Sequence, residues 1–268
     1  MAVKWCVVCS SHYEDSKITE LEGALNSVKK LQSVIVSELG VSEEDTLFIY
    51  DKNQYEITTE IMKFENDIQK DDVVVFYFCG HGIKVGDELW LFTNNTIKKN
   101  IEMTALNYNI IIRSLRKSPS KRVFVILDCC NSGAALTMGE DNGKDIKKEV
   151  ICEGEVILCS CAEIESAIQA EIGQESHCVF TYTFAEVLSK GSTESKEFLS
   201  ISDIVHLLKE RYEKRSGKTL SIARKQNLDT YGIIKNMEYT RKTAEENSEE
   251  LTKIRDQFKN GRNGKFYW

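Results

Sequence analysis

The sequence has a single proline, Pro119, among 268 residues, which excludes proline-rich linkers and polyproline segments. It also has no excess of basic charge. Thirty-five Lys and Arg against 42 Asp and Glu leave a formal net charge of −7, so no basic footprint is offered to a nucleic-acid backbone or an anionic membrane. No apolar run approaches the ~18 residues of a membrane span. The run from Val3 to Ser10 is short and carries Lys4, so a secretory leader is not expected and the protein is placed in the cytosol. Nine cysteines, an odd number, are then expected as reduced thiols. Cys6 and Cys9 form a C-x-x-C, but within VKWCVVCS residues three apart point to opposite faces of a strand, which fits core thiols better than zinc ligands. Cys159 and Cys161 lack a second pair at ligand spacing, so no metal site is expected.

What is present is the make-up of a globular protein, with 41% hydrophobic and 29% charged residues. Short β-rich runs alternate with amphipathic stretches, the pattern of an α/β protein with a mainly parallel sheet. Strands are expected at Lys4 to Cys9, Thr46 to Tyr50, Asp72 to Cys79, Arg122 to Asp128 and Val156 to Cys161. Shorter ones are expected near Leu89 to Phe92 and Tyr231 to Ile234. DVVVFYFC is apolar on both faces, as a central parallel strand should be. Leu21, Leu25, Val28, Leu31, Ile35 and Leu39 recur at helical spacing up to Gly40, and further helices are read at Thr59 to Gln69, Thr104 to Arg116, Phe180 to Lys190 and Ser202 to Lys214. No internal repeat is visible. The expected organisation is one domain over residues 1–239 and a charged helical extension over 240–268, which either docks on the domain or engages a partner.

Two of these strands end in chemistry. The third runs into Cys79-Gly80-His81-Gly82 and the fourth into Asp128-Cys129-Cys130-Asn131-Ser132-Gly133. Ligands of open α/β sheets bind beyond the carboxyl ends of strands, so a histidine and a cysteine arrive on the functional edge together. A free thiol of pKa ~8.5 is mostly protonated at neutral pH, and an adjacent imidazole activates it or takes its proton during attack. Flanking glycines permit close approach of a substrate backbone and supply amide N–H groups for an oxyanion.

In FYFCGHG and VILDCCNSG the sequence resembles the caspase-like cysteine peptidases, most closely the metacaspases and bacterial caspase homologues. LEGALNSVKKLQSVIVSELG is similar to the family's first helix. ILCSCAEIESAIQ and VFTYTFAEVL are similar to the strand and helix beyond the nucleophile. The resemblance covers about Val3 to Lys235. It implies a three-layer α/β sandwich with a mainly parallel six-stranded sheet and helices on both faces. By the same resemblance Cys130 is the nucleophile, with Cys129 on the other strand face, and His81 is the general acid/base. The N–H groups of Gly82 and Cys130 form the oxyanion hole. The implied reaction is hydrolysis of protein or peptide substrates through an acyl-enzyme.

The resemblance also assigns an S1 pocket. Metacaspases place an aspartate two residues before the nucleophile to hold Lys or Arg, and here that residue is Asp128. Asp128 also has a structural reading, in hydrogen bonds to loop amides. The family's second acidic position, in the first helix, falls on Ser27, and the serine before G-H-G is Cys79. Family calcium ligands correspond roughly to Asn94, Asn95, Asn107 and Asn109, with Thr137 nearby. Carboxylates are absent from that set, so no cofactor and no tight calcium site are expected. The polar loop Ala134 to Gly154 carries Lys144, Lys147 and Lys148, candidate sites of self-cleavage or residues of a solvated loop. His12, His177 and His206 are given no catalytic role. The expected form is a monomer or a regulated partner complex. The rival reading is an inactive caspase-like scaffold or signalling domain.

Overall fold

The computed structural model describes residues 1–130, 154–160, 168–194, 196–225 and 232–261. Its first half runs β1 (Val3–Cys9), α1 (Glu22–Ser33), β2 (Thr46–Tyr50), α2 (Gln54–Glu65) and β3 (Val73–Cys79). A small antiparallel sheet follows, β4 (Gly82–Val85), β5 (Glu88–Leu91) and β6 (Leu106–Asn107), with α3 (Ile101–Thr104) before its last strand. Then come α4 (Tyr108–Lys117), β7 (Arg122–Asp128), β8 (Gly154–Cys159), the hairpin β9 (Gln169–Ile172) and β10 (Glu175–Cys178), and α5 (Val179–Lys190). The chain continues through β11 (Phe198–Ser200), α6 (Ile201–Ser216), β12 (Ser221–Lys225), β13 (Gly232–Lys235) and α7 (Met237–Gly261).

Six strands form the central sheet in the order β12, β8, β7, β3, β1, β2. All its pairs are parallel except β12 against β8. Because strand side chains alternate, each strand feeds two cores. Trp5, Val7, Cys9, Val75, Tyr77, Phe124, Ile126 and Leu158 pack with α1, α5 and α6 on one face. Cys6, Val8, Val74, Phe76, Val125 and Ile157 pack with α2 and α4 on the other. Cys6 and Cys9 are thus core thiols on opposite faces.

Several details differ from the sequence reading, among them the helix expected over Thr104 to Arg116, which begins only at Tyr108, after β6. The second helix begins at Gln54 rather than Thr59, because Asn53 and Glu56 form a reciprocal capping box. The first helix is regular only to Ser33 and ends in a wider π turn, Val34–Glu38, before Gly40 at φ 70°. The sixth strand of the main sheet is β12, a short charged edge strand with no strong β signature. The strand anticipated near Tyr231 exists as β13 but pairs with β11, apart from the main sheet.

Asn236 fixes that second small sheet. Fully buried, it accepts from the Ser192 amide at 2.9 Å and directs its side-chain NH2 at the carbonyls of Ser192 and Lys196, at 3.0 and 2.9 Å. Alanine here would strand these groups away from water, so Asn236→Ala is expected to lower unfolding free energy by roughly 2–3 kcal/mol in urea titration. Just beyond it, Arg241 of α7 donates to the carbonyls of Lys190 and Ser189, capping α5.

Candidate active site

β3 and β7 are neighbours in the middle of the sheet, with Cys79 in register with Asp128. The segments that follow them are therefore forced together at the carboxyl edge. Gly80 N–H donates to the Asp128 carbonyl at 3.2 Å. A Cβ on Gly82 would stand 2.8 Å from both the Cys130 carbonyl oxygen and the Cys129 sulfur. The two loops thus meet backbone to backbone, which only glycine permits. Cys129 is buried in the α2/α4 core, and Cys130, the next residue, is half-exposed.

His81 is held from three directions. Its amide donates to the Tyr13 hydroxyl at 3.1 Å, and its ring lies 5.1 Å from the Tyr13 ring and 6.0 Å from Phe92. Its Nε2 is 2.7 Å from the Thr19 carbonyl oxygen. A carbonyl can only accept, so Nε2 carries the proton and neutral His81 presents Nδ1 as a bare base. Burial holds the imidazole below its ordinary pKa and favours that neutral form. The start of the segment that leads to Thr19 is tied to Asp51, a residue at φ 48° whose carboxylate accepts from the amides of Ser11 and His12 and from the Ser11 hydroxyl. Tyr13 also donates to the Ser10 carbonyl at 2.6 Å, which tightens the same loop. Sequence reading missed Thr19, Tyr13 and Asp51. A backbone carbonyl leaves no residue-type signature, and the other two act only through that loop.

Beneath the edge lies a polar cluster on the α1/α5 face. Asp128 is 2% exposed. Its Oδ2 accepts from the Thr181 hydroxyl at 2.6 Å and the Thr181 amide at 3.2 Å, and the Cys79 thiol points at it from 3.9 Å. Tyr77 completes the relay by donating to Thr181 Oγ1 at 2.8 Å, since the single Thr181 proton is already given to Asp128. Among the described residues, Oδ1 of Asp128 and the nearby Ser160 hydroxyl are buried without a hydrogen-bond partner of normal geometry. Burial raises the carboxyl above its ordinary pKa, with the Thr181 bonds opposing the shift.

Ser27 joins this cluster indirectly. Its hydroxyl accepts from the Cys178 amide at 2.9 Å and lies 3.2 Å from His177 Nδ1. Asn26 bonds the Ser176 carbonyl, so the first helix is laced to β10. Asp128, Cys79 and Ser27 are all buried under the turn from β10 into α5. His177 is buried there too, whereas His12 pairs with Glu20 at the surface and His206 is exposed on α6. Of the candidate calcium positions, the Asn95 and Asn107 side-chain oxygens already accept from Thr93 Oγ1 and the Asn109 amide. Thr137, Cys161, Lys144, Lys147 and Lys148 lie outside the described residues.

Residues 3–259 match the family model of the caspase domain, peptidase group C14. The chain belongs to the caspase-domain family. This is a family of cysteine peptidases, acting as hydrolases on protein substrates. Among solved structures, caspase-1 from Spodoptera frugiperda superposes with a TM-score of 0.56 at 13% identity, covering 82% of this chain and 85% of that one. That likeness establishes the fold, a caspase-like α/β sandwich. No curated protein matches the chain significantly.

Within a caspase domain the contact at Gly82 has a direct consequence. Gly82→Ala must push the Cys130 backbone away from the histidine loop, and with Cys130 and His81 in the roles the resemblance implies, a misplacement of ~1 Å lowers rates by about a hundredfold. Peptide hydrolysis by Gly82→Ala is expected to fall by about that factor. A neighbouring control, Gly86→Ala, stands in open space at φ 61° and should lose stability only.

Proposed function

We propose that this chain is a cysteine endopeptidase with Cys130 as nucleophile and His81 as general acid/base, cutting after Lys or Arg. The observation that carries the reading is the hydrogen bond from His81 to the Thr19 carbonyl, which leaves Nδ1 bare beside the loop that bears Cys130. In the proposed cycle the Cys130 thiol gives its proton to His81 as sulfur attacks the substrate carbonyl. The amides of Gly82 and Cys130 hold the resulting oxyanion, and His81 returns the proton to the leaving amine. Water, deprotonated by His81, then releases the acyl group from sulfur as a carboxylic acid and restores the thiol.

The basic P1 preference is supported by Asp128, whose buried Oδ1 has no hydrogen bond of normal geometry among the described residues. A Lys or Arg side chain would satisfy it by a charge-assisted hydrogen bond. No calcium requirement is proposed, and the metacaspase-like type and a reducing, cytosolic setting complete the reading. The test is the cleavage rate of fluorogenic peptides differing only at P1, as Arg, Lys, Asp or Ala, beside the Cys130→Ala variant. Cleavage after Asp alone would keep the nucleophile and discard the pocket assignment.

A scaffold role is favoured by one observation, the burial of Asp128, Cys79 and Ser27 beneath the β10–α5 turn. Lack of hydrolysis together with a stable partner complex in pull-downs would support it. For the peptidase, self-cleavage after Lys144, Lys147 or Lys148 is the proposed processing step. Intact mass after prolonged incubation should show two fragments from wild type and none from Cys130→Ala.

A further inference from the structure

The fold brings together two thiols that sequence spacing keeps far apart. Cys79 ends β3 and Cys178 ends β10, and with Asp128 at the end of β7 their ligand atoms all lie within 4.8 Å of one another. We propose that Cys79, Cys178 and Asp128 form a binding site for a zinc-class divalent cation, located under the S1 position and controlling access to it.

Three features support this assignment. The donor set of two sulfurs and one carboxylate suits zinc rather than calcium or magnesium, which take oxygen alone. The spacing is near that of a loaded site. Tetrahedral zinc with ordinary bond lengths separates its sulfur ligands by about 3.8 Å and sulfur from oxygen by about 3.5 Å. Cys79 Sγ already stands 3.9 Å from Asp128 Oδ2, and with all three ligand atoms within 4.8 Å of one another a contraction of about 1 Å completes the set. Finally, among the described residues Asp128 Oδ1 is buried with no hydrogen bond of normal geometry and only the Ser160 hydroxyl nearby, an arrangement that proteins rarely leave unfilled. The Thr181 amide and hydroxyl orient the carboxylate as supporting hydrogen bonds do around metal ligands. Binding would release the two thiol protons to solvent, and three protein ligands leave a fourth tetrahedral position for water.

Control of cleavage rests on the reading of Asp128 as the P1 partner, since zinc and a basic side chain would then compete for one carboxylate. Binding itself does not depend on that reading. The test therefore uses Co2+ as a spectroscopic probe in the full-length Cys130→Ala protein, which removes the half-exposed thiol as a rival ligand. One equivalent of Co2+ should give a thiolate-to-cobalt charge-transfer band and the intense visible bands of a tetrahedral ion, and Zn2+ should bleach both. Cys130→Ala/Cys79→Ser and Cys130→Ala/Cys178→Ser, each checked by circular dichroism, should lose the charge-transfer band or halve it. If one of them does not fold, the other decides. Absence of the bands in the Cys130→Ala protein, or full bands in the folded double variants, would overturn the site. With active wild type, Zn2+ should inhibit hydrolysis after Arg less as peptide concentration rises, and inhibition indifferent to peptide would overturn the proposed control. If no peptide is cleaved, the cobalt bands still decide the site, and only the peptidase reading fails.

Discussion

Replacing Cys130 by alanine is expected to lower peptide hydrolysis by about a thousandfold or more, because loss of the nucleophile removes the acyl-enzyme route altogether. Stability should hardly change. Cys130 is half-exposed, unlike the fully buried Cys129 next to it, so deleting its sulfur leaves no core cavity. Cys129→Ala makes the complementary control, with activity retained and a lower urea midpoint. His81→Ala should cause a loss comparable to that of Cys130→Ala, and the double variant should be little worse than either, since groups acting as one unit are not additive. Rates from purified proteins, with thiol titration to count reactive cysteines, decide the matter. Hydrolysis surviving in Cys130→Ala would remove this residue from the mechanism.

The second large effect is expected at Asp128. Asp128→Asn keeps the shape of the side chain, and its carbonyl oxygen can still accept from the Thr181 amide and hydroxyl. The new NH2 group can turn to the nearby Ser160 hydroxyl. Replacing a buried carboxylate that lacks a countercharge among the described residues also removes a desolvation penalty, so the unfolding midpoint should hold or rise. Cleavage after Arg or Lys should nevertheless fall by about a hundredfold or more, as when one member of a desolvated ion pair is removed. Cleavage after Ala should fall far less. The kcat/KM ratio for Arg over Ala peptides in the variant measures this directly. An unchanged ratio with a lowered midpoint would make Asp128 a pin between β7 and α5, with no part in recognition.

The sequence carries the sheet and the two loops that bear His81 and Cys130 plainly. DVVVFYFC and RVFVILD are apolar on both faces, and each is followed at once by a glycine-flanked His or Cys. Such runs have few alternatives to a central parallel strand, and the chemistry comes immediately after them in the chain. Weak local signals behave differently. SIARK makes the sixth strand only because β8 offers it an open edge, and β13 pairs with β11 where Asn236, just after β13, ties down the segment 192–196 that leads into β11. The start of α2 was readable in principle, since Asn53 and Glu56 have the spacing of a capping box.

The sequence alone determined the α/β architecture, the strand ends that carry Cys130 and His81, and the family, because these rest on short patterns of residues adjacent in the chain. The tertiary structure alone decided which group orients His81, what surrounds Asp128, and which thiols share a site. Thr19 lies far from His81 in sequence and acts through a carbonyl that every residue possesses. Cys79, Asp128 and Cys178 come from three separate elements, and Ser27 touches Cys178 from a fourth. Contacts of this kind arise when packed helices and neighbouring strands close over a sheet edge, and no local periodicity records them.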